Sequence, residues 1–338
     1  MKVAVTGGTG FVGSHTVAAL NRAGHDVHLL VRSPEKIERA LGPHGIETPE
    51  FTVGDVTDPG SVDALLDGAD ALVHGANIFT FDVRNKDEMK RVNEQGTELV
   101  LSRAVKRGLD PIIHVSSTVA LLPAEAPMTE ETPTGNPPPA YAATKASADR
   151  IARRLQSEGV PVVIIYPGLA WGPHDPTLGE SSHFAMSILK GSMRFLNDGH
   201  VPISDVRDVA EAHARVMETG RGPRRFIVVG SNPMFRSLVG QVGDLVGRNF
   251  GSIRVPGWMG TGTGKLSDWV QERFGWHLPL SYEPPWYVAN GDVADGSRAS
   301  TELGIDYTPL ETTLRDAIAW LHKAGHVTSK QAGALAGG

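Results

Sequence analysis

Tyr141 and Lys145 stand four residues apart in the run Tyr141-Ala142-Ala143-Thr144-Lys145, a spacing that puts both side chains on one helix face. An ammonium beside a phenol lowers the phenol's pKa, which lets it exchange a proton near neutral pH. Upstream, Ser116-Ser117-Thr118 closes an apolar run. A hydroxyl there can hold a carbonyl oxygen, because ligands bind where the strands of open α/β sheets end. A Tyr-x-x-x-Lys spacing alone also occurs on surface helices. Its weight comes from the serines before it and from a glycine cluster at the N-terminus.

That cluster, Thr6-Gly7-Gly8-Thr9-Gly10-Phe11-Val12-Gly13, lies between a strand-like and a helix-like segment. Gly7, Gly10 and Gly13 allow a tight turn, close approach of backbone to a pyrophosphate, and tight helix–strand contact. Thr9, Gly10, Phe11 and Val12 then present the free N–H groups of a helix start to phosphate. A ribose 2′-OH is normally held by an acidic residue about 20 residues further on. Here the second strand ends Leu30-Val31-Arg32. Arg32 can bond a 2′-phosphate and lie over an adenine face, and Arg39 adds charge, so NADP is favoured, with NAD the alternative. Asp55 and Val56 follow a third strand-like run, where a carboxylate can accept from an adenine amino group; a turn cap is the plain rival. Gly75, Ala76 and Asn77 close the fourth run, and small residues there let backbone approach a cofactor.

The elements that must position these groups alternate. Strands are expected at 2–6, 26–31, 50–53, 71–74, 111–116 and 162–166. Helices are expected at 11–23, 34–41, 61–66 (capped by Ser61), 89–107 and 141–159. This alternation implies an α/β fold, a doubly wound parallel sheet of the Rossmann type, over residues 1–170. Residues 171–327 read mainly as a smaller substrate-binding lobe, with elements around 204–230 returning to the sheet. Residues 328–338 read as a flexible tail.

Together these motifs resemble the extended short-chain dehydrogenase/reductase family, the NAD(P)-dependent epimerase/dehydratase-like group. The resemblance runs over residues 1 to about 175 and includes Asp55, Val92-Asn93, Gly96-Thr97, Ser117, Tyr141, Lys145 and Tyr166-Pro167-Gly168. It implies Tyr141 as general acid/base and Lys145 as the group that holds the nicotinamide ribose and depresses the tyrosine pKa. It implies Ser117, rather than Ser116, as the residue that polarises the substrate oxygen, with Thr118 as a lesser possibility. Tyr166, Pro167 and Gly168 would lie against the nicotinamide. The family's sugar-nucleotide dehydratases carry an Asp-Glu pair where this chain has Thr118-Val119. Arg32 replaces the acidic residue common in the epimerases, so the pattern is nearest to the dihydroflavonol-reductase and hydroxysteroid-dehydrogenase-like branch. The resemblance also implies a homodimer formed through the helices at 89–107 and 141–159.

The leading expectation is an NADP-dependent oxidoreductase acting on a carbonyl or secondary alcohol of a small, fairly apolar molecule. The alternatives are an NAD-dependent sugar or nucleotide-sugar epimerase, for which Arg194, Arg224, Arg225 and Arg236 would supply a diphosphate pocket, and a non-catalytic NADP sensor. Phe79, Phe81 and Trp171 are candidate walls for an apolar substrate, with Phe184, Trp258, Trp286 and Tyr287 reading first as packing of the second lobe. The net charge is −6, which argues against nucleic acid as a partner. With no cysteine, thiolate metal sites and a Cys nucleophile are excluded, and no metal is expected. Gly260-Thr261-Gly262-Thr263-Gly264-Lys265 lacks the spacing of a P-loop and reads as a flexible loop. No apolar run is long enough to span a bilayer, so a cytoplasmic location is expected.

Overall fold

The computed structural model describes residues 1–274 and 282–337. Its elements run β1 (Lys2–Thr6), α1 (Phe11–Arg22), β2 (Asp26–Val31), α2 (Lys36–Leu41), β3 (Glu50–Val53), α3 (Pro59–Leu65) and β4 (Ala71–His74). Then follow α4 (Lys86–Lys90), α5 (Thr97–Lys106), β5 (Ile112–Val115), α6 (Ala140–Ser157), β6 (Val162–Pro167), β7 (Leu169–Trp171) and α7 (Glu180–Lys190). The remainder is β8 (Phe195–Leu196), β9 (Ile203–Asp205), α8 (Val206–Arg215), β10 (Arg224–Val228), α9 (Phe235–Val246), β11 (Ile253–Arg254) and α10 (Gly257–Phe274). The chain ends with α11 (Glu283–Asn290), α12 (Ser297–Leu303), α13 (Leu310–Lys323) and α14 (Ser329–Ala332).

Seven parallel strands form the main sheet in the order β10-β6-β5-β4-β1-β2-β3. The order reverses between β1 and β4, and such a reversal opens the crevice in which doubly wound sheets bind ligands. Apart from the exposed edge strand β3, alternate side chains along the strands enter two separate cores. Val3, Val5, Leu29, Ile113, Ile165 and Phe226 pack on one face with α1, α8 and α12. Ala4, Leu72, Ile112, Ile164, Tyr166 and Ile227 pack on the other with α3, α5 and α6. Burial on both faces explains why these strands read as unbroken apolar runs. A third core, built by α7, α9 and α13, belongs to the C-terminal lobe.

Four local expectations differ from the structure. The helix expected to begin at Ser61 begins at Pro59, and Asp58 is its cap, accepting the Ser61 N–H at 2.8 Å. The long helix at 89–107 is interrupted by a π-helical turn, Arg91–Gly96. At Gly96 a Cβ would lie 2.8 Å from Val56 Cγ2, so only glycine lets the helix settle on the β3–α3 turn. The glycine-rich stretch around Gly260 lies inside α10 rather than in a loop. The tail expected to fray is docked: Thr328 and Gln331 form a reciprocal capping box, and Ala332 is fully buried against the third core. Elements also return to the main domain beyond residue 230, since Trp286 on α11 and Ala299 on α12 enter its cores.

Candidate active site

The glycine turn sits at the sheet reversal. Gly7 has φ +77°, and a Cβ there would meet the Ala76 nitrogen at 2.7 Å. A Cβ on Gly13 would stand 2.0 Å from the Gly7 carbonyl oxygen. The turn is therefore pressed against α1 on one side and the Gly75-Ala76 turn on the other. The Gly10 N–H closes it onto the Gly7 carbonyl at 3.0 Å. α1 has no side-chain cap and no acidic residue in its first turn, so its leading N–H groups and dipole are left for an anion. These residues fit the pyrophosphate of a dinucleotide.

Below the turn, His74 links β1 to α5. Its Nδ1 lies 2.8 Å from Thr6 Oγ1 and its Nε2 lies 3.0 Å from Thr97 Oγ1. Thr6 Oγ1 also accepts the Ala76 N–H at 3.2 Å. Burial, then the Lys145 charge, holds this imidazole down to about 3, so it stays neutral and fixes both turns. Asn77 bonds the Gly75 carbonyl through Nδ2 at 3.1 Å and is exposed.

Beyond β2, Arg32 is exposed, with Nη1 3.9 Å from Glu88 Oε1. Asp55 accepts both the N–H and the hydroxyl of Thr57, at 2.9 and 2.6 Å. Burial alone would raise its pKa. The Thr57 bonds and the charges of Arg91 and Arg32 outweigh that and hold it below the usual value. Two guanidiniums therefore flank Asp55, and sequence reasoning missed Arg91, which reaches this turn only because the π-helical segment carries it. Arg39 projects from the exposed side of α2. Val56 is a correction: its side chain is buried in the sheet core against Gly96, leaving only backbone for a cofactor.

The reactive residues gather beyond β5. Ser116 is buried and donates to Asp149 Oδ1 at 3.2 Å, so it faces the helix and not the crevice. Ser117 is half-buried; its Oγ donates to the Pro167 carbonyl at 3.4 Å and accepts the Val119 N–H at 3.4 Å. Thr118 is buried in the 3-10 turn that follows. Gly168 donates its N–H to Ser204 Oγ at 2.9 Å, and a Cβ there would meet the Pro202 carbonyl oxygen at 2.4 Å. Tyr166 is corrected: its ring is fully buried and its hydroxyl accepts from Arg153 Nη2 at 2.9 Å, so the side chain cannot face a nicotinamide. Trp171 is corrected likewise. It is 2% exposed and packs on Phe184 inside the C-terminal lobe.

Tyr141 and Lys145 lie in the first turns of α6. Lys145 Nζ donates to the Val115 carbonyl at 2.9 Å. Burial brings its pKa down to about 8, against the opposing charge of Asp149. The expected lowering of the phenol by this ammonium is not what governs Tyr141. Burial, then the Glu283 carboxylate, pushes the phenol well above its ordinary value. The covering group is Phe79, whose ring lies 4.3 Å from that of Tyr141 at 31°. Phe81 packs on Phe79 at 5.2 Å, and Tyr287 lies 6.3 Å from Phe81. Tyr287 thus belongs to the site wall, while the side chain of Trp258 lies outside the described ones.

Two side chains hold this wall, buried Asn93 and half-buried Glu180. Asn93, in the π turn, accepts the Ile78 N–H at 2.7 Å, donates to the Ile78 carbonyl at 2.9 Å and donates to Thr144 Oγ1 at 3.0 Å. Glu180 on α7 accepts the Phe81 N–H at 3.3 Å. Arg224 and Arg225 stand at the N-terminal end of β10, the edge opposite the crevice, and Arg236 pairs with Asp198 at 3.8 Å. Among the described residues no group of three or more His, Asp or Glu could hold a metal ion, and no helix is long and apolar enough to cross a membrane.

Comparison with known proteins gives a consistent picture. The family model for the NAD dependent epimerase/dehydratase family matches residues 3–230. A putative dihydroflavonol 4-reductase of Synechocystis sp. is 27% identical, over 96% of each chain. A 2-alkyl-3-oxoalkanoate reductase of Stenotrophomonas maltophilia is 30% identical over 73% of this chain and 76% of its own length. Among solved structures, UDP-glucose 4-epimerase from Bifidobacterium longum, in complex with NAD+ and UDP, superposes with a TM-score of 0.73 over 96% of this chain and 98% of its own. Its identity is 20%, so it speaks for the fold alone.

Proposed function

The chain belongs to the NAD dependent epimerase/dehydratase family and is an NAD(P)-dependent enzyme, and from that premise we propose an NADPH-dependent reductase of a carbonyl on a small, fairly apolar molecule. The observation that carries this reading is the aromatic wall of Phe79, Phe81 and Tyr287 on Tyr141. Such a wall suits a planar apolar substrate and offers no charge to a sugar diphosphate. The names of the two reductase relatives point the same way. Two of the arginines an epimerase would need stand on the wrong edge of the sheet.

The bound dinucleotide supplies the hydride, and the protein's own groups do the rest. Gly7 to Gly13 and the N–H groups of α1 hold the pyrophosphate. Arg32, with Arg91 beside Asp55, neutralises the 2′-phosphate. Ser117 Oγ donates to the carbonyl oxygen of the substrate. Tyr141 Oη gives that oxygen its proton as the carbon is reduced, and it regains one from solvent when the alcohol leaves. Lys145 holds the ribose and its charge favours the phenolate that forms. Pro167 and Gly168 present backbone to the nicotinamide.

Fluorescence titration with NADPH and NADH, on wild type and Arg32→Ala, tests the cofactor assignment. Losing hydrogen bonds to a charged group costs about 1.5–3 kcal/mol, which is roughly 10- to 150-fold in Kd. NADH binding as tightly as NADPH to the wild type would refute it. Turnover of NADPH with cinnamaldehyde, abolished in Tyr141→Phe, tests the reaction.

A further inference from the structure

α6 begins without a cap of its own. Its N-cap is Pro139, which offers no side-chain acceptor, and its first turn holds no acidic residue. A helix start leaves four N–H groups without partners. One of them, on Tyr141 itself, is met from 142 residues away: Glu283 Oε1 accepts it at 3.1 Å. The other oxygen of Glu283 accepts the Tyr287 hydroxyl at 2.6 Å. Glu283 is 7% exposed, and it opens α11, which packs on the main-domain core through Trp286.

We propose that Glu283 is a positioning residue for Tyr141, through which α11 fixes the start of the catalytic helix and holds the phenol in its proton-donating form. The inference rests on the reading of Tyr141 as the proton donor. A carboxylate at a helix start is favourable by itself, so a plain capping role is the alternative that the test must separate. The added consequence is electrostatic. A buried negative charge beside Tyr141 opposes formation of phenolate. Burial is the larger cause of the raised phenol, and Glu283 is the charged one.

Other charged and titratable groups stand near this pair among the described residues, including Lys265 of α10, whose Nζ lies 5.1 Å from the ring centre of Tyr282. Lys145 stands one turn along α6, with Asp149 behind it. His74 and His114 lie on the sheet near Lys145, and burial keeps both neutral. Tyr287 is itself pushed up by burial and by Glu283. Asp82 and Lys86 line a small cavity shared with Glu283, Pro139 and Tyr282. Glu283 thus bonds both the catalytic helix, at the Tyr141 N–H, and the aromatic wall, at the Tyr287 hydroxyl. An ionised acceptor there keeps Tyr141 protonated, the form in which it starts carbonyl reduction.

The test uses the full chain with NADPH and cinnamaldehyde, and with NADP+ and cinnamyl alcohol. Glu283→Gln keeps shape and one acceptor oxygen but removes the charge. The expected result is an alkaline limb of kcat/KM for reduction that moves down by about one pH unit, with an unchanged KM for NADPH. Glu283→Asp is expected to restore the limb in part. A plain cap predicts lower thermal stability in Glu283→Gln with both pH profiles unmoved, and that result overturns the inference. Tyr141→Phe separates the two levels: full turnover in that variant refutes the reading of the site itself. Phenolate absorbance near 295 nm, taken as the difference between each protein and its Tyr141→Phe counterpart, needs no substrate. A Tyr141 step that stays in place when Glu283→Gln is introduced overturns the inference whatever the turnover shows.

Discussion

Asn93→Ala removes the clamp between the π turn, the Phe79 loop and the catalytic helix. Asn93 is 2% exposed and makes three side-chain hydrogen bonds, two to the backbone of Ile78 and one to Thr144. Each bond contributes about 1 kcal/mol net, and a stranded buried partner costs about 1–3 kcal/mol. Thr144 Oγ1 keeps its bond to the Tyr141 carbonyl at 2.8 Å, so the loss falls on the Ile78 N–H and carbonyl. The sum is a destabilisation of about 3 kcal/mol, read as a lower urea midpoint at constant slope. The functional effect follows from Ile78 preceding Phe79. With the loop untied, Phe79 no longer holds its place on Tyr141, and kcat/KM for cinnamaldehyde falls by about tenfold or more, the equivalent of roughly 1.4 kcal/mol. The NADPH affinity stays within about threefold, because the glycine turn is untouched. A stability loss below about 1 kcal/mol, or equal losses in NADPH binding and turnover, would refute the reasoning.

Gly13→Ala places a Cβ 2.0 Å from the Gly7 carbonyl oxygen; backbone cannot swing aside, so a loss of about 3 kcal/mol is expected, together with loss of the thermal shift that NADPH gives the wild type. Phe79→Ala gives up an aromatic pair worth about 0.5–1.5 kcal/mol, so the KM for cinnamaldehyde should rise several-fold while that for a small aliphatic ketone stays unchanged; equal effects on both would count against a substrate wall. Acid should destabilise the fold through buried histidines. Burial, with neighbouring positive charge for the first two, holds His15 and His74 at about 3, and burial holds His213 at about 4. A lowered folded pKa means full stability above the unfolded value near 6.5, lost as pH falls toward the folded values. At pH 5 each buried neutral histidine costs about 2 kcal/mol, and urea midpoints at pH 7 and pH 5 check it; equal midpoints would contradict it.

The main sheet was legible in the sequence because its strands, the exposed edge strand β3 apart, are buried on both faces and its turns need particular residues. Gly7 and Gly13 could be assigned from chain order alone, since backbone presses on both. The one-face spacing of Tyr141 and Lys145 was equally readable, because a helix fixes it locally. Asp149, which accepts from buried Ser116 and so leaves Ser117 to the crevice, continues that same spacing and could have been found there. The environment of Tyr141 was not legible. A sequence places the phenol beside its ammonium, but burial under Phe79 and the charge of Glu283 set its proton affinity, and Glu283 is 142 residues away in a stretch with weak periodicity. The π turn that brings Asn93 to Ile78 and Arg91 to Asp55 likewise has no local signature; packing against Val56 accompanies it. Short-range sterics and helix geometry act between near neighbours, so the sequence itself determined the glycine turn, the strands and the Tyr–Lys face. Desolvation and charge act through space, so only the tertiary structure decided what surrounds Tyr141 and how tightly it keeps its proton.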